Sequence, residues 1–272
     1  MLVTVLTLSG CGGGGDDGEP VVFATGSSEP VLQVSNGGGF VALDTVLTTV
    51  PTVTLTGDGT LITLDDPPAG RRPEVPSLTR STLDAARVRA ILDDADDAGL
   101  LRSGVEFGRV AILDGPTTTV TFRVNGGIIT HSVYGLGLES GFSPPSGKRR
   151  ARKALSRFID SLPTVGSDPA PYVPTELMIY ASPVPAGDGE DLPTATRVWP
   201  LDGSLLRIGT RVRMYTCSRV TGPDTAVLLS ALADVDGRTR WVERDSDREA
   251  FEVAVRPVLP GDPGCEGPLA GW

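Results

Sequence analysis

The chain predicts an α+β protein, with antiparallel sheets built from hairpins and one or two helices packed on each. Three observations carry this. Runs of alternating β-branched residues are separated by Gly, Asp and Asn turns, which is the signature of hairpins. Two segments carry apolar residues at helical spacing. The strands cluster together and do not alternate with helices, which separates α+β from α/β.

In chain order, Val31–Val34 and Phe40–Leu43 read as strands. Thr52–Thr56 alternates, turns at Gly57-Asp58-Gly59, and returns as Thr60–Leu64. Residues 65–76 are a proline-rich loop. Ser81 then caps a helix, with Asp84 three residues on. Its stripe is Leu83, Val88, Ile91, Leu92, Ala95 and Ala98, and Gly99 ends it. A second hairpin joins residues 117–124 to 128–134 through Asn125-Gly126-Gly127. A second helix spans 146–162, with Ala151, Leu155, Phe158 and Leu162 on one face, and Pro163 stops it.

Residues 163–175 hold four prolines and read as a connector. Beyond them the order of strands, helix and hairpin is met again. Strands are expected at 177–180, 196–199 and 211–215, a helix from Thr221 through Leu232, and a closing hairpin over 239–255. The expected organisation is therefore a signal segment 1–10, a tether 11–30, a first unit 31–163 and a second unit 164–272, the two units sharing a topology.

The net charge is −10, from 34 acidic and 24 basic residues. Nucleic acid is excluded as a partner on this ground, since phosphate binding needs a basic surface. No run of about 20 apolar residues is present to span a bilayer. The start of the chain has its own character. A short apolar stretch ends in Leu8-Ser9-Gly10-Cys11, followed by four glycines and Asp16-Asp17-Gly18-Glu19. This resembles the bacterial lipoprotein signal, in which an aliphatic and two small residues precede a cysteine that is lipidated and becomes the N-terminus. The resemblance implies that Cys11 is the lipid attachment site and that the body faces outward from the cell membrane. Nothing basic precedes Cys11, as a signal requires, so the expected translation start lies upstream of Met1. A tether of about 19 flexible residues reaches roughly 25 Å.

Three cysteines are present. With Cys11 lipidated, Cys217 and Cys265 remain as a pair in an oxidising compartment and are expected to form a disulfide. Across residues 30–265 the chain also resembles secreted lipoproteins of high-GC Gram-positive bacteria. The residues that carry this are Leu55–Thr60, Ala95–Leu101, Val198-Trp199-Pro200-Leu201 and the Cys217/Cys265 pair. That resemblance brings an address and no activity.

Chemistry is sparse. His131 is the only histidine, which excludes zinc patterns built on two or three. It could serve as the base of a Ser-His-Asp arrangement, yet no Gly-x-Ser-x-Gly elbow presents a nucleophile. Asp93, Asp94, Asp96 and Asp97 gather at one helix end, where acidic charge opposes the macrodipole. The one basic cluster is Lys148, Arg149, Arg150, Arg152, Lys153 and Arg157, which together with His131 gives the candidate contacts for a ligand or an anionic polymer. Asn36-Gly37-Gly38-Gly39 follows a strand but opens no helix, so it is no phosphate cradle. No cofactor is expected. The expected function is a lipid-anchored envelope module binding a protein or wall polymer. A hydrolase using His131 with a carboxylate, or a purely structural envelope protein, are the alternatives.

Overall fold

A computed structural model describes residues 20–67, 73–138, 146–184, 195–205, 209–235, 239–244 and 250–267. Cys11 and the signal-like stretch lie outside these residues. Among the described residues the chain builds two sheets, of seven and six strands, and four α-helices.

The first sheet begins with β1 (Pro30–Gly37) and, after helix α1 (Leu43–Thr48), continues through β2 (Val53–Thr56), β3 (Thr60–Leu64) and β4 (Leu78–Thr82). Helix α2 (Ala85–Asp97) leads to the hairpin β5 (Thr117–Val124) and β6 (Gly127–Tyr134). Helix α3 (Ser146–Ser161) and a 3₁₀ turn at Leu162–Thr164 precede β7 (Ser167–Pro171). The strand order is β6-β5-β1-β2-β3-β4-β7, with every pairing antiparallel.

The second sheet takes β8 (Glu176–Pro183), β9 (Thr196–Val198), β10 (Thr210–Val212) and β11 (Tyr215–Thr221). Helix α4 (Pro223–Leu232) follows, then β12 (Arg240–Val242) and β13 (Ala250–Pro257). The order is β10-β11-β8-β13-β12-β9, antiparallel but for β9 against β12. The α+β class with antiparallel-dominated sheets is therefore as the sequence predicts, but the two sheets have different strand orders. The expected connector over 163–175 contributes β7 to the first sheet, beyond the expected unit boundary.

Alternation sets the packing. Along β5 the inward residues Thr118, Val120, Phe122 and Val124 are buried, while Thr117, Thr119, Thr121 and Arg123 face outward. Asn125 and Gly126 both take positive φ, of 53° and 70°, the backbone of a two-residue turn matched to strand twist. The inner face packs Leu32, Leu55, Leu61 and Phe122 against Val88, Ile91 and Leu92 of α2 and Leu155 and Phe158 of α3. The second sheet buries Leu177, Ile179 and Val255 against Leu228 and Leu232 of α4, with Trp199 edge-on to Trp241 at 5.4 Å.

Three local expectations are corrected. The expected strand Phe40–Leu43 does not form, and Leu43–Thr48 is helical, because Leu47 is drawn down onto Met178 and Tyr180 of the second sheet and the Thr48 and Thr49 hydroxyls donate back to the Asp44 and Thr45 carbonyls at 2.9 and 2.8 Å. Ser81 pairs with Leu61 in the sheet, so the cap of α2 is Asp84, whose carboxylate accepts from the Arg87 N–H at 2.7 Å. The expected strand 211–215 is broken at Arg213, φ 55°, where the chain reverses and Val212 faces Tyr215.

Cys217 and Cys265 are disulfide-bonded across 48 residues, tying the chain's last described segment to β11. A loop of that length yields about 4 kcal/mol by the chain-entropy relation, against a usual range of about 2–4. Replacing both cysteines with serine should lower the unfolding free energy by roughly 2–4 kcal/mol in urea titration; an unchanged midpoint would show that the tail is held by its other contacts alone.

Candidate functional site

The outer face of the first sheet is covered unevenly. Over β2, β3 and β4 it is closed by Val50 and Leu259, which pack on Ile62 and Leu78. Over β1, β5 and β6 it stays open, and a cavity of about 910 Å³ lies there. That is within the range of small-ligand sites.

The floor is the outward row of the sheet, Gln33 and Ser35 of β1, Thr117 and Thr119 of β5, and Ser132 of β6. One wall is α1, through Thr45, Val46 and Thr49; the opposite wall is the segment after β13, from Leu259 to Pro263. Gly37-Gly38-Gly39 forms the rim. Gly39 has φ 82°, and a Cβ there would meet the Asp114 carbonyl oxygen at 2.8 Å, so the close passage of the two loops requires glycine.

The tail wall is fixed from below. Arg256, nearly fully buried, forms an ion pair with Asp262, whose side chain is 7% exposed. Its guanidinium also donates to the Gly264 carbonyl at 2.9 Å and lies over the ring of Tyr180, 6.0 Å from the centroid. Asp262 accepts a second bond, from the Gly264 N–H at 2.8 Å. Burial opposes the charge on Arg256, but the Asp262 carboxylate outweighs it and holds the guanidinium above its usual pKa. Burial likewise pushes the Tyr180 hydroxyl up, with Arg256 partly offsetting it; that hydroxyl donates to the Cys265 carbonyl at 3.1 Å. Across the cavity floor, Gln33 donates to the Pro260 carbonyl at 3.2 Å and accepts from Arg123 at 3.2 Å. Hydroxyls, the Gln33 and Asn36 amides and glycine backbone thus face the cavity beside Val41, Val46, Val50 and Leu259, and the charges among its described lining residues, Arg256 and Asp262, neutralise each other. Among the described residues no aromatic ring lines it.

The residues expected to make contacts are placed elsewhere. His131 is 4% exposed and points inward from β6, opposite to Ser132. Its Nε2 lies 2.7 Å from the Leu100 carbonyl, which can only accept, so Nε2 carries the hydrogen. Phe107 and Phe122 meet it edge-on at 5.3 and 6.4 Å. His131 is a satisfied core residue, and neither a contact residue nor a base for this cavity. Arg152 is 2% exposed and donates to the carbonyls of Tyr134 and Gly135 at 3.1 and 2.5 Å; it caps the end of β6 and is withdrawn from any polymer. Lys148 pairs with Glu106 at 2.8 Å and holds that carboxyl below its usual pKa, by hydrogen bond and by charge. Arg149, Arg150 and Lys153 remain exposed on α3, apart from the cavity. Among the described residues no acidic cluster is arranged to hold a metal ion, Asp93–Asp97 included.

Sequence reasoning missed the cavity because its walls come from residues 33–51, 116–132 and 256–267. One local signal was available: Arg256 directly follows the apolar run Val253-Ala254-Val255, and Asp262 stands in Pro260-Gly261-Asp262-Pro263-Gly264 six residues on. A second groove of about 680 Å³ lies between Pro76, Pro171, Pro174 and α4; its Asp65 is already bonded to Thr79 at 2.8 Å.

The fold and cavity define an α+β protein with a largely apolar cleft, floored by hydroxyl side chains and bounded by a disulfide-tied tail. The chain matches no family model, no curated protein and no solved structure.

If the tail wall depends on the buried pair, Arg256→Gln should cost about 3–5 kcal/mol, the usual cost of leaving one buried charge alone. Adding Asp262→Asn should recover part of that loss. Chemical unfolding of the two single variants and the double variant measures the coupling, and independent additive effects would rule the pair out as the tail's fixing point.

Proposed function

We propose that this protein is an outward-facing envelope module, anchored by lipid on Cys11, that binds an uncharged extended segment of a partner protein in the cavity over β1, β5 and β6. The observation that carries the binding reading is the lining itself. Hydroxyl groups of Ser35, Thr119 and Ser132 stand beside apolar Val46 and Leu259, a mixture suited to peptide groups and small side chains. With its charges internally paired, the cavity has no purchase on an ionic ligand. Its described lining residues offer no aromatic face for ring stacking.

The address rests on other support. Leu8-Ser9-Gly10-Cys11 precedes a glycine-rich, acidic run, and the Cys217–Cys265 disulfide agrees with an oxidising compartment. Among the described residues no helix is long and apolar enough to cross a membrane, so attachment on this reading belongs to the lipid, and two acyl chains suffice for it.

Two measurements test the proposal. Cys11→Ser should move the protein from the membrane fraction to the soluble one; unchanged fractionation would remove the anchor. A photo-crosslinking residue at Thr119 in intact cells should give a discrete protein adduct, and Ser35→Trp, which fills the floor, should abolish it. An adduct that survives Ser35→Trp would place binding elsewhere, and a Thr119 probe that stays unreacted would favour a purely structural role.

A further inference from the structure

An open sheet has two edges, and unpaired edges invite other strands unless they are short, charged or interrupted by proline. In this protein three of the four edges are protected in that way. β7 carries Pro169 and Pro171, and β9 and β10 are three residues long, with exposed Arg197 and Arg211. The fourth edge, β6, runs eight residues as Gly127-Ile128-Ile129-Thr130-His131-Ser132-Val133-Tyr134 without a charge or a proline.

The hairpin register shows which of its groups are open. Val124 and Gly127 close the two-residue turn, so the hydrogen-bonded pairs to β5 alternate from there through Ile129, His131 and Val133. The N–H and C=O groups of Ile128, Thr130 and Ser132 therefore point away from the sheet. At the next such position the Tyr134 carbonyl is taken by Arg152. Among the described residues nothing bonds the backbone of the other three. Their side chains are exposed, Ile128 to 68%.

We propose that β6 is a self-association strand, pairing with β6 of a second copy in antiparallel register about a two-fold axis at Thr130. The open set is symmetric about Thr130, and this is why the occupant is the chain itself. Thr130 faces Thr130, Ile128 faces Ser132 on either side, and all six backbone groups of Ile128, Thr130 and Ser132 are satisfied at once. That is the self-complementary patch a two-fold dimer requires. Because β6 is uncharged, two bodies of net charge −10 meet there without a like-charge contact. One strand pair buries little area, so the dimer is weak in solution and gains from the high local concentration of a shared membrane surface. The proposal rests on β6, which shares Ser132 with the cavity floor; only the gain on a membrane surface rests on the proposed anchor.

The test uses the full chain carrying Cys11→Ser, which keeps lipid-driven association out. Sedimentation over a concentration series up to about 1 mM, a Kd of that order being about −4 kcal/mol, should show a monomer–dimer equilibrium. Thr130→Lys and Thr130→Pro should return the chain to monomer without lowering its melting temperature, since the Thr130 N–H serves no bond within the hairpin. The register has its own readout, because facing residues of such a pair lie about 5.5 Å apart, within disulfide reach. Thr130→Cys should crosslink to itself, and Ile128→Cys should crosslink to Ser132→Cys when the two are mixed but not to itself. A chain monomeric throughout the series would overturn the proposal and leave the edge to a strand from a different protein. A dimer that survives Thr130→Lys, or self-crosslinking of Ile128→Cys, would overturn it as well.

Discussion

The buried pair of Arg256 and Asp262 is the interaction on which the relation of the two sheets depends. Arg256 leaves the last strand of the second sheet, and Asp262 belongs to the turn that lies beside the first. Burying two charges costs several kcal/mol per ion unless their remaining hydrogen-bonding groups are met. Here Gly264 supplies both a carbonyl and an N–H and Tyr180 a ring face, which meets most of these groups and leaves the Arg256 Nε–H unpaired among the described residues. With the turn so fixed, Leu259 enters the Val50, Ile62 and Leu78 cluster and Pro260 meets Gln33. The disulfide at Cys265 then holds the chain just beyond the pair. The cavity is the space left where this tail and α1 stop covering the sheet.

The parts of this architecture that were legible in the sequence are those that local periodicity controls. Residues 117–134 alternate so regularly that the hairpin, its turn and its inward face could all be read. The stripe Val88, Ile91, Leu92 and Ala95 marked α2 for the same reason. Where tertiary contacts override local preference, reading failed. Residues 43–48 contain Thr45, Val46 and Thr48, a poor helical composition, and become a helix because Leu47 has an apolar site to fill. Residues 167–171 are proline-rich and become a strand because an edge tolerates proline. The candidate site was illegible for a further reason: ions that pair across six residues in a coil have no period, and the cavity exists only when three distant segments are apposed.

Residues chosen for their chemistry turned out to hold the scaffold. A lone histidine and a basic run are the features a reader of sequence notices, yet His131 satisfies the Leu100 carbonyl between two phenyl rings. Arg152 closes the carbonyls at the end of β6 and the turn after it. His131 supports the strand from its buried face, and Arg152 closes its end. Withdrawing them leaves the exposed surface of that strand with hydroxyls and aliphatic groups only, which suits it to partners recognised by hydrogen bonding and shape.

The hairpin of β5 and β6 therefore divides its residues among three tasks by direction alone. Side chains pointing inward, Val120, Phe122, His131 and Val133, build the core. Side chains pointing outward, Thr117, Thr119 and Ser132, floor the cavity. The backbone groups of Ile128, Thr130 and Ser132 point sideways and leave an edge open. A strand has a period of two, so a slip of one residue would exchange the first two sets and bury hydroxyls under α3. The Asn125–Gly126 turn, with two consecutive positive φ values, sets the register that prevents this. Core, cavity floor and open edge are thus consequences of one turn, and any change that lengthened it by a residue would disturb all three together.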